Sequence, residues 1–310
     1  MKSPDISVIT LSYNTLEITR TCLEKVSKSA QVLKETKKCE AEIIVVDNGS
    51  VDGSVEMIKE IFPRVKLILP GHNTGFGGGN NLGMKHCHGR LILLINSDIY
   101  LKPDTLVRVM EEERMHTHWD IWGCELRLAD GTPQASGGYL PTPFRVMMWW
   151  AGISSLPLIG YIFKPIHPKW GRYFSKEKKV EWVMGAFMVL KKEIFIKTKG
   201  FDEKLFMYME EVEWCMRIKK MGFNIWYSPN FWVTHLDKAS SKFDIKKPLI
   251  HEVEGLMYFM HKHYPQSIDV IKLVLMFGCF WRWLLFNLVS NKTRCEAYTE
   301  AINKLTNIKY

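Results

Sequence analysis

No CxxC pair, no low-complexity run and no GK[ST] tripeptide occur in this chain of 310 residues, and each absence removes a class of answer. The seven cysteines, at 22, 39, 87, 124, 215, 279 and 295, are odd in number and scattered, which fits a reducing compartment and argues against a disulfide framework or structural zinc. No RNP-like, zinc-finger or helix-turn-helix pattern is found, so nucleic acid is not an expected partner even though the formal charge is +9. That charge still favours anionic partners, such as phosphorylated substrates or an acidic membrane surface. The opening residues MKSPDISVITLSYN hold no long apolar stretch, so no secretory signal is expected. Gly75-Phe76-Gly77-Gly78-Gly79 is neither a P-loop nor the GxGxxG that follows the first strand of a dinucleotide fold.

Apolar content is ample, at 46%, and the length allows one large domain or a domain with an appendage. The first hundred residues alternate short β-branched runs with helical periodicity. Strands are expected at Ile6 to Leu11, Glu42 to Val46, Lys66 to Leu69 and Leu91 to Ile95. Helices are expected at Thr15 to Lys28, at Ser54 to Ile61 and from Asn80, with the glycine run read as a loop. This is the pattern of a parallel sheet covered on both faces, in which ligands bind beyond the carboxyl ends of the strands. Those ends hold Ser12-Tyr13-Asn14, Asp47-Asn48-Gly49-Ser50 and Asn96-Ser97-Asp98. Each has a plainer reading as a turn or helix cap, with Asp52 or Ser54 capping and Asp98 standing before Pro103. Their agreement favours a nucleotide site.

Two acidic segments set in apolar sequence carry the chemistry. In LILLINSDIYLKPD a buried strand delivers Asp98 to solvent. In FDEKLFMYMEEVEWCMR the residues Glu210, Glu211 and Glu213 sit among aromatics. Carboxylates beside low-dielectric surroundings bind metal, find a partner or move protons. For Glu213 the expectation is an i,i+4 pair with Arg217 on an exposed helix.

VITLSYN, VVDNGSVDGS, HNTGFGGGNNLG, LLINSDIYLKPD, VMGAFMVLKKEIF, GFDEKLFMYMEEVEWCMR and THLDKAS, taken in order over roughly residues 5 to 241, resemble glycosyltransferase family 2. The likeness is to its rhamnosyltransferase-type members in bacterial surface-polysaccharide assembly. The resemblance implies an α/β GT-A fold, a Rossmann-like mixed sheet, over residues 1–241, with a donor half to about 103 and an acceptor half from 104. A helical C-terminal segment would follow over 242–310. It implies that Leu11, Tyr13, Asp47 and Asn48 hold the base and ribose of a dTDP- or UDP-linked sugar, with Gly75 and Asn96 also on the donor. Asn96-Ser97-Asp98 takes the place of the family's DxD motif, so Asp98 would bind Mg²⁺ or Mn²⁺; the first aspartate is Asn96 here. His235 lies in the family's H-x-x-G-x-S segment, with Lys238 in place of the glycine and Ser240 kept; it would be a second metal ligand, an ordinary surface or core histidine being the alternative. Lys238 and Lys242 offer an alternative means of neutralising the diphosphate. Glu211 falls on the second residue of the ED motif and would be the general base of an inverting transfer. Glu210 and Trp182 would face the acceptor, Trp182 having a buried core position as its alternative.

Phe144 to Phe163 is apolar but broken by Arg145, two glycines and Pro157, too interrupted to span a membrane. Ile268 to Val289 contains Asp269, Lys272 and Arg282; it suits a helix lying on a membrane with both cations snorkelling, or one packed on the domain or on a second copy in a homodimer. Cys279 stands where the glutamine of a processive QxxRW motif would be, so one sugar or a few are added. The expected setting is cytoplasmic and peripheral on the inner membrane face, with a lipid-linked glycan as acceptor. Two other classes compete. A nucleotidyltransferase needs a glycine-rich basic loop after the first strand, which LSYNTLEIT does not provide. A catalytically degenerate GT-A scaffold or glycan-binding protein is expected to lose Asp98 or Glu211, and both are present.

Overall fold

The computed structural model describes residues 3–155, 164–169, 171–236 and 246–309. Lys238, Ser240, Lys242 and the part of the 144–163 segment that includes Pro157 lie outside the described residues. The chain runs β1 (Ile6–Ser12), α1 (Leu16–Lys37), β2 (Ala41–Asp47), α2 (Ser54–Ile61), β3 (Lys66–Ile68), α3 (Gly75–Lys85), β4 (Leu91–Asn96) and β5 (Ile99–Tyr100). There follow α4 (Thr105–Met115), β6 (Ile121–Arg127), β7 (Pro133–Gln134), β8 (Gly137–Gly138), α5 (Pro143–Trp150), β9 (Lys178–Val180), β10 (Trp182–Val183) and β11 (Phe187–Lys191). The remainder is α6 (Lys192–Thr198), α7 (Glu210–Lys220), β12 (Ile225–His235), α8 (Lys246–His263), α9 (Ile268–Leu288) and α10 (Lys292–Asn307).

The β-branched runs form one mixed sheet in the order β3-β2-β1-β4-β11-β6-β12-β5, with β7 on β6 and β9 on β12. Its first four strands are parallel, and their register sets Leu11 beside Asn96 and Ser12 beside Asp47. Three strand ends that are distant in sequence therefore share one edge. The antiparallel β11 pairs Phe187 with Ile95, so the turn before it, Met184-Gly185-Ala186, runs past the end of β4. Antiparallel pairing of β12 with β5 sets His235 opposite Ile99.

Alternating side chains fill two layers. Val8, Leu91, Leu93 and Ile95 meet Cys22, Val26 and Leu33 of α1 and Leu106 and Val109 of α4. Ile9, Ile92 and Leu94 share the opposite core with Met84 of α3, Trp214 and Ile218 of α7, and Val253, Phe259, Leu275 and Leu305 of the last three helices.

Two helices differ from expectation. α1 runs to Lys37, where Lys38 ends it in the left-handed conformation, because Val26, Ser29 and Leu33 continue its buried stripe. The glycine run is the first turn of α3 rather than a loop. Its glycines let the helix lie against the sheet: a Cβ on Gly83 would stand 2.4 Å from Cγ2 of Ile9, and one on Gly79 2.8 Å from Cδ2 of Leu11. Among the described residues no helix is long and apolar enough to cross a membrane.

Candidate active site

The loops after β1 and β2 are laced together by short polar side chains. Asn14 Oδ1 accepts the N–H of Val51 at 2.9 Å, and Ser50 Oγ accepts the N–H of Asn14 at 2.9 Å. Asp52 caps two helices at once, accepting the N–H of Leu16 at 2.9 Å on one oxygen and that of Ser54 at 3.1 Å on the other. Asp47 closes its own turn, with Oδ1 accepting the N–H groups of Gly49 and Ser50 at 3.1 and 2.7 Å. Its Oδ2 is buried without a partner, an acceptor still to be satisfied. Tyr13 presents a half-exposed ring on the same edge, whereas Leu11 packs on Gly79. Asn48 is spent internally: Nδ2 donates to the Gly75 carbonyl at 3.2 Å and Oδ1 accepts from the Thr74 hydroxyl at 2.9 Å.

Gly75 links this edge to the acidic segment. It has φ +73°, and a Cβ there would stand 2.5 Å from the Phe206 carbonyl oxygen, so the position demands glycine on two counts. The next N–H, of Phe76, donates to that carbonyl at 2.9 Å. Asn81 of α3 holds the preceding stretch, exchanging bonds with the Phe201 N–H and carbonyl at 2.8 and 2.9 Å.

Asp98 and His235 come together, with His235 Nε2 3.5 Å from Asp98 Oδ1. The Leu236 N–H donates to the Asp98 carbonyl at 3.0 Å, which locks β12 against the turn carrying the aspartate. Gln134 Oε1 lies 2.7 Å from His235 Nδ1 and so orients the ring with Nε2 toward Asp98. Among the described residues no third His, Cys, Asp or Glu joins them. One carboxylate oxygen and one imidazole nitrogen fit a divalent cation that draws further ligands from a bound diphosphate.

Glu210 and Glu211 open α7. Before them, Tyr208 and Met209 both take positive φ, +66° and +69°, although neither is glycine. Strain of this kind persists only where the surroundings over-determine the backbone. Glu210 is buried and Glu211 partly so, and each has one Oε2 without a partner. Burial first, and then the charge of Glu211 beside it, pushes the Glu210 carboxyl well above the usual carboxylate range. Burial also raises Glu211, opposed by backbone N–H donors that include Gly185. Gly185 lies in the turn whose next residue, Ala186, accepts the Asn96 N–H at 3.1 Å. The turn 184–186 therefore has the end of β4 on one side and Glu211 on the other.

Two expectations are corrected. Trp182 is enclosed, with Nε1 donating to the carbonyls of Tyr139 and Ile166 at 3.2 Å each, so it is a core tryptophan and not a platform for a sugar. Glu213 does pair with Arg217 at 2.9 Å but is fully buried, and it also meets Lys262 at 2.7 Å and His263 at 3.2 Å. Sequence reasoning missed Gln134 and the half-exposed aromatics Phe206 and Tyr208 next to the glutamates. Only the aromatic run carried a local signal; Gln134 lies 101 residues from His235 and is brought there by strand pairing.

Residues 7–118 match the glycosyl transferase family 2 model. An N-acetylglucosaminyl-diphospho-decaprenol L-rhamnosyltransferase of Mycobacterium tuberculosis is 24% identical over 210 residues, covering 62% of this chain and 66% of that protein. The rhamnosyltransferase WbbL of Escherichia coli is 28% identical over 174 residues, 54% of this chain and 62% of its own. These matches thus span just under two thirds of either relative's length. Among solved structures, a mannosyltransferase from Pyrobaculum calidifontis in complex with GDP-Man and Mn²⁺ superposes with a TM-score of 0.55 at 14% identity, covering 100% of this chain and 77% of that one. TarS 1-349 of S. aureus superposes with 0.52 at 15% identity, covering 99% and 92%. At such identities the superpositions speak for the fold.

Proposed function

With a family 2 match over residues 7–118 and rhamnosyltransferase relatives, we propose that the chain is a family 2 glycosyltransferase of GT-A fold that moves a sugar from a nucleoside diphosphate to a hydroxyl of a lipid-linked glycan, inverting the anomeric centre. In this reading the nucleoside lies on the shared strand edge, where Tyr13 offers a ring face and the free Oδ2 of Asp47 an acceptor for a base or ribose donor. Asp98 and His235 would hold Mg²⁺ or Mn²⁺, which supplies positive charge to the diphosphate when bound. Glu211 takes the proton of the acceptor hydroxyl as its oxygen attacks the anomeric carbon. The bond to the diphosphate oxygen breaks on the opposite side, and its electron pair leaves with the nucleoside diphosphate. The relatives' names support rhamnose as the sugar; in this reading it is carried on dTDP or UDP. A decaprenol-linked substrate in one of those names supports a lipid-linked acceptor and so work at a membrane surface.

The observation that carries the proposal is the acidic pair at the start of α7, one member reaching the turn that also holds the end of β4. Burial raises the proton affinity of both carboxyls, and the charge of Glu211 raises that of Glu210 further, an arrangement in which one member acts as a base beside a neutral neighbour. The lesser burial of Glu211 and its Gly185 contact favour it as the ionised member. Glu211→Gln should lower sugar transfer by about a hundredfold to ten-thousandfold. Nucleoside diphosphate binding, read as a thermal shift with Mn²⁺, should be unchanged. Full activity in that variant would refute the assignment of the base.

A further inference from the structure

α9 shows apolar side chains on both of its sides. Its inner side, Ile271, Leu275, Gly278 and Cys279, is buried against the core. Its outer side presents Val270, Leu273, Phe277, Phe280, Trp281 and Leu285, each between 45% and 70% exposed. At about 100° per residue these six fall within an arc of roughly 140°. No charge of the helix falls within that arc: its two cations are engaged elsewhere, and its acidic residue, the exposed Asp269, stands just outside the arc's edge. Lys272 donates to the Ile308 carbonyl at 3.0 Å, and Arg282 to the carbonyls of Trp150 and Gly278 at 3.1 and 3.0 Å. Neither is free to snorkel as the sequence suggested. A continuous apolar stripe of this size is uncommon on a monomer and marks a contact surface.

Charge and geometry choose the partner. The stripe ends in Leu288 and Val289, 74% and 69% exposed, and the chain then turns through exposed Lys292 and Arg294. Between residues 246 and 309 there are nine lysines and arginines against five acidic residues. Aromatic and aliphatic side chains on one arc, with cations at its end, match the depth profile of an anionic lipid surface. With 21 residues α9 is about 30 Å long, yet it is not apolar enough to cross a membrane, so it would lie along the surface. We propose that the outer face of α9, with the Leu288–Val289 tip and the cations Lys292 and Arg294, seats in the headgroup region of an anionic membrane. The proposal rests on the lipid-linked acceptor of the preceding section, whose tail would keep the reacting sugar at that surface.

The test is co-sedimentation of the full chain with phosphatidylcholine vesicles, with and without phosphatidylglycerol, for wild type and Leu273→Asp/Phe277→Asp. Both positions are largely exposed, so the fold should tolerate the change. Wild type should pellet with the anionic vesicles at least tenfold better than the variant and at least tenfold better than with neutral ones. Wild type that stays in the supernatant, or a variant that pellets equally, would overturn the proposal. Equal pelleting with neutral vesicles would overturn the part given to Lys292 and Arg294. A wild-type dimer in light scattering that the variant dissociates would assign the face to a second copy instead. Nucleoside diphosphate thermal shifts measured without lipid read the transferase assignment separately. Their absence, with vesicle binding intact, would sink that assignment and leave the docking face standing.

Discussion

A general base for a sugar hydroxyl must be ionised at working pH yet hold a proton more tightly than a solvated carboxylate. In the proposed reaction Glu211 is that base: burial raises its proton affinity while backbone N–H donors, Gly185 among them, stabilise the anion. Glu210, raised well above the usual range by burial and by the charge of its neighbour, is assigned as the neutral member. The sign follows directly: activity depends on ionised Glu211, so it rises with pH through a raised carboxyl pKa, and the acid limb of kcat/KM should lie above the ordinary glutamate range near about 4.3. Glutamine resembles a neutral glutamic acid, so Glu210→Gln should lose less than about tenfold in kcat/KM and leave the acid limb in place. A pH-rate profile checks this; an acid limb that moves down into the ordinary range in that variant would mean that Glu210 sets the titration. The glutamates were legible in sequence because carboxylates among aromatics require a reason. Trp182 was not, since a tryptophan in a short strand reads the same whether it faces a sugar or the core, and only the carbonyls around Nε1 decide it.

At the scale of elements, strand periodicity identified β1, β2 and β4 and so the edge on which Asp47 and Asn96 stand. The mistake was α3. Glycine is among the weakest helix formers, by about 1 kcal/mol per residue against alanine, and five residues with four glycines read naturally as a loop. Tertiary packing overrides that tendency, because only a helix without side chains on this face can approach β1 and β2 so closely. The two effects make a quantitative test. Gly83→Ala should gain about 0.5–1 kcal/mol of helix propensity but must push Cβ toward Cγ2 of Ile9, a buried β-branched side chain with little freedom to yield. Overpacking typically costs about 1–3 kcal/mol, so the net effect should be a loss of about 1 kcal/mol or more in urea unfolding. A gain in stability would show that α3 can move away from the sheet. Asp98 with His235 is the complementary case: both residues were singled out in sequence, but Gln134, which fixes the imidazole, becomes visible only once β7 and β12 flank β6.

For the molecule as a whole, the last three helices are built into the transferase core. Tyr258 donates to Asp202 at 2.7 Å, and Lys262 and His263 of α8 reach the buried Glu213, so α8 is fastened to the helix that begins with Glu210 and Glu211. Charge pairs enclosed in this way are costly to break singly, which makes the attachment specific. The segment 206–209 lies between two glycines: Gly75 of α3 meets Phe206, and Gly255 of α8 meets the strained Tyr208 and Met209. A Cβ at Gly255 would stand 2.9 Å from the Tyr208 carbonyl oxygen and 3.1 Å from the Met209 Cβ. The helices that present the outer face of α9 therefore also set the conformation from which Glu211 projects. Gly255→Ala should move that backbone by a fraction of an ångström, and displacements of about 1 Å in a catalytic group can reduce rates about a hundredfold. The expected outcome is a fall in kcat of about tenfold with the donor KM within about twofold of wild type, because the strand edge that meets the nucleoside is untouched. If the variant instead lowers Tm and leaves kcat unchanged, the C-terminal helices support the core without positioning the base. A parallel rise in donor KM would place their influence at the strand edge, through Phe206 and Gly75, since those two residues join the same backbone to α3.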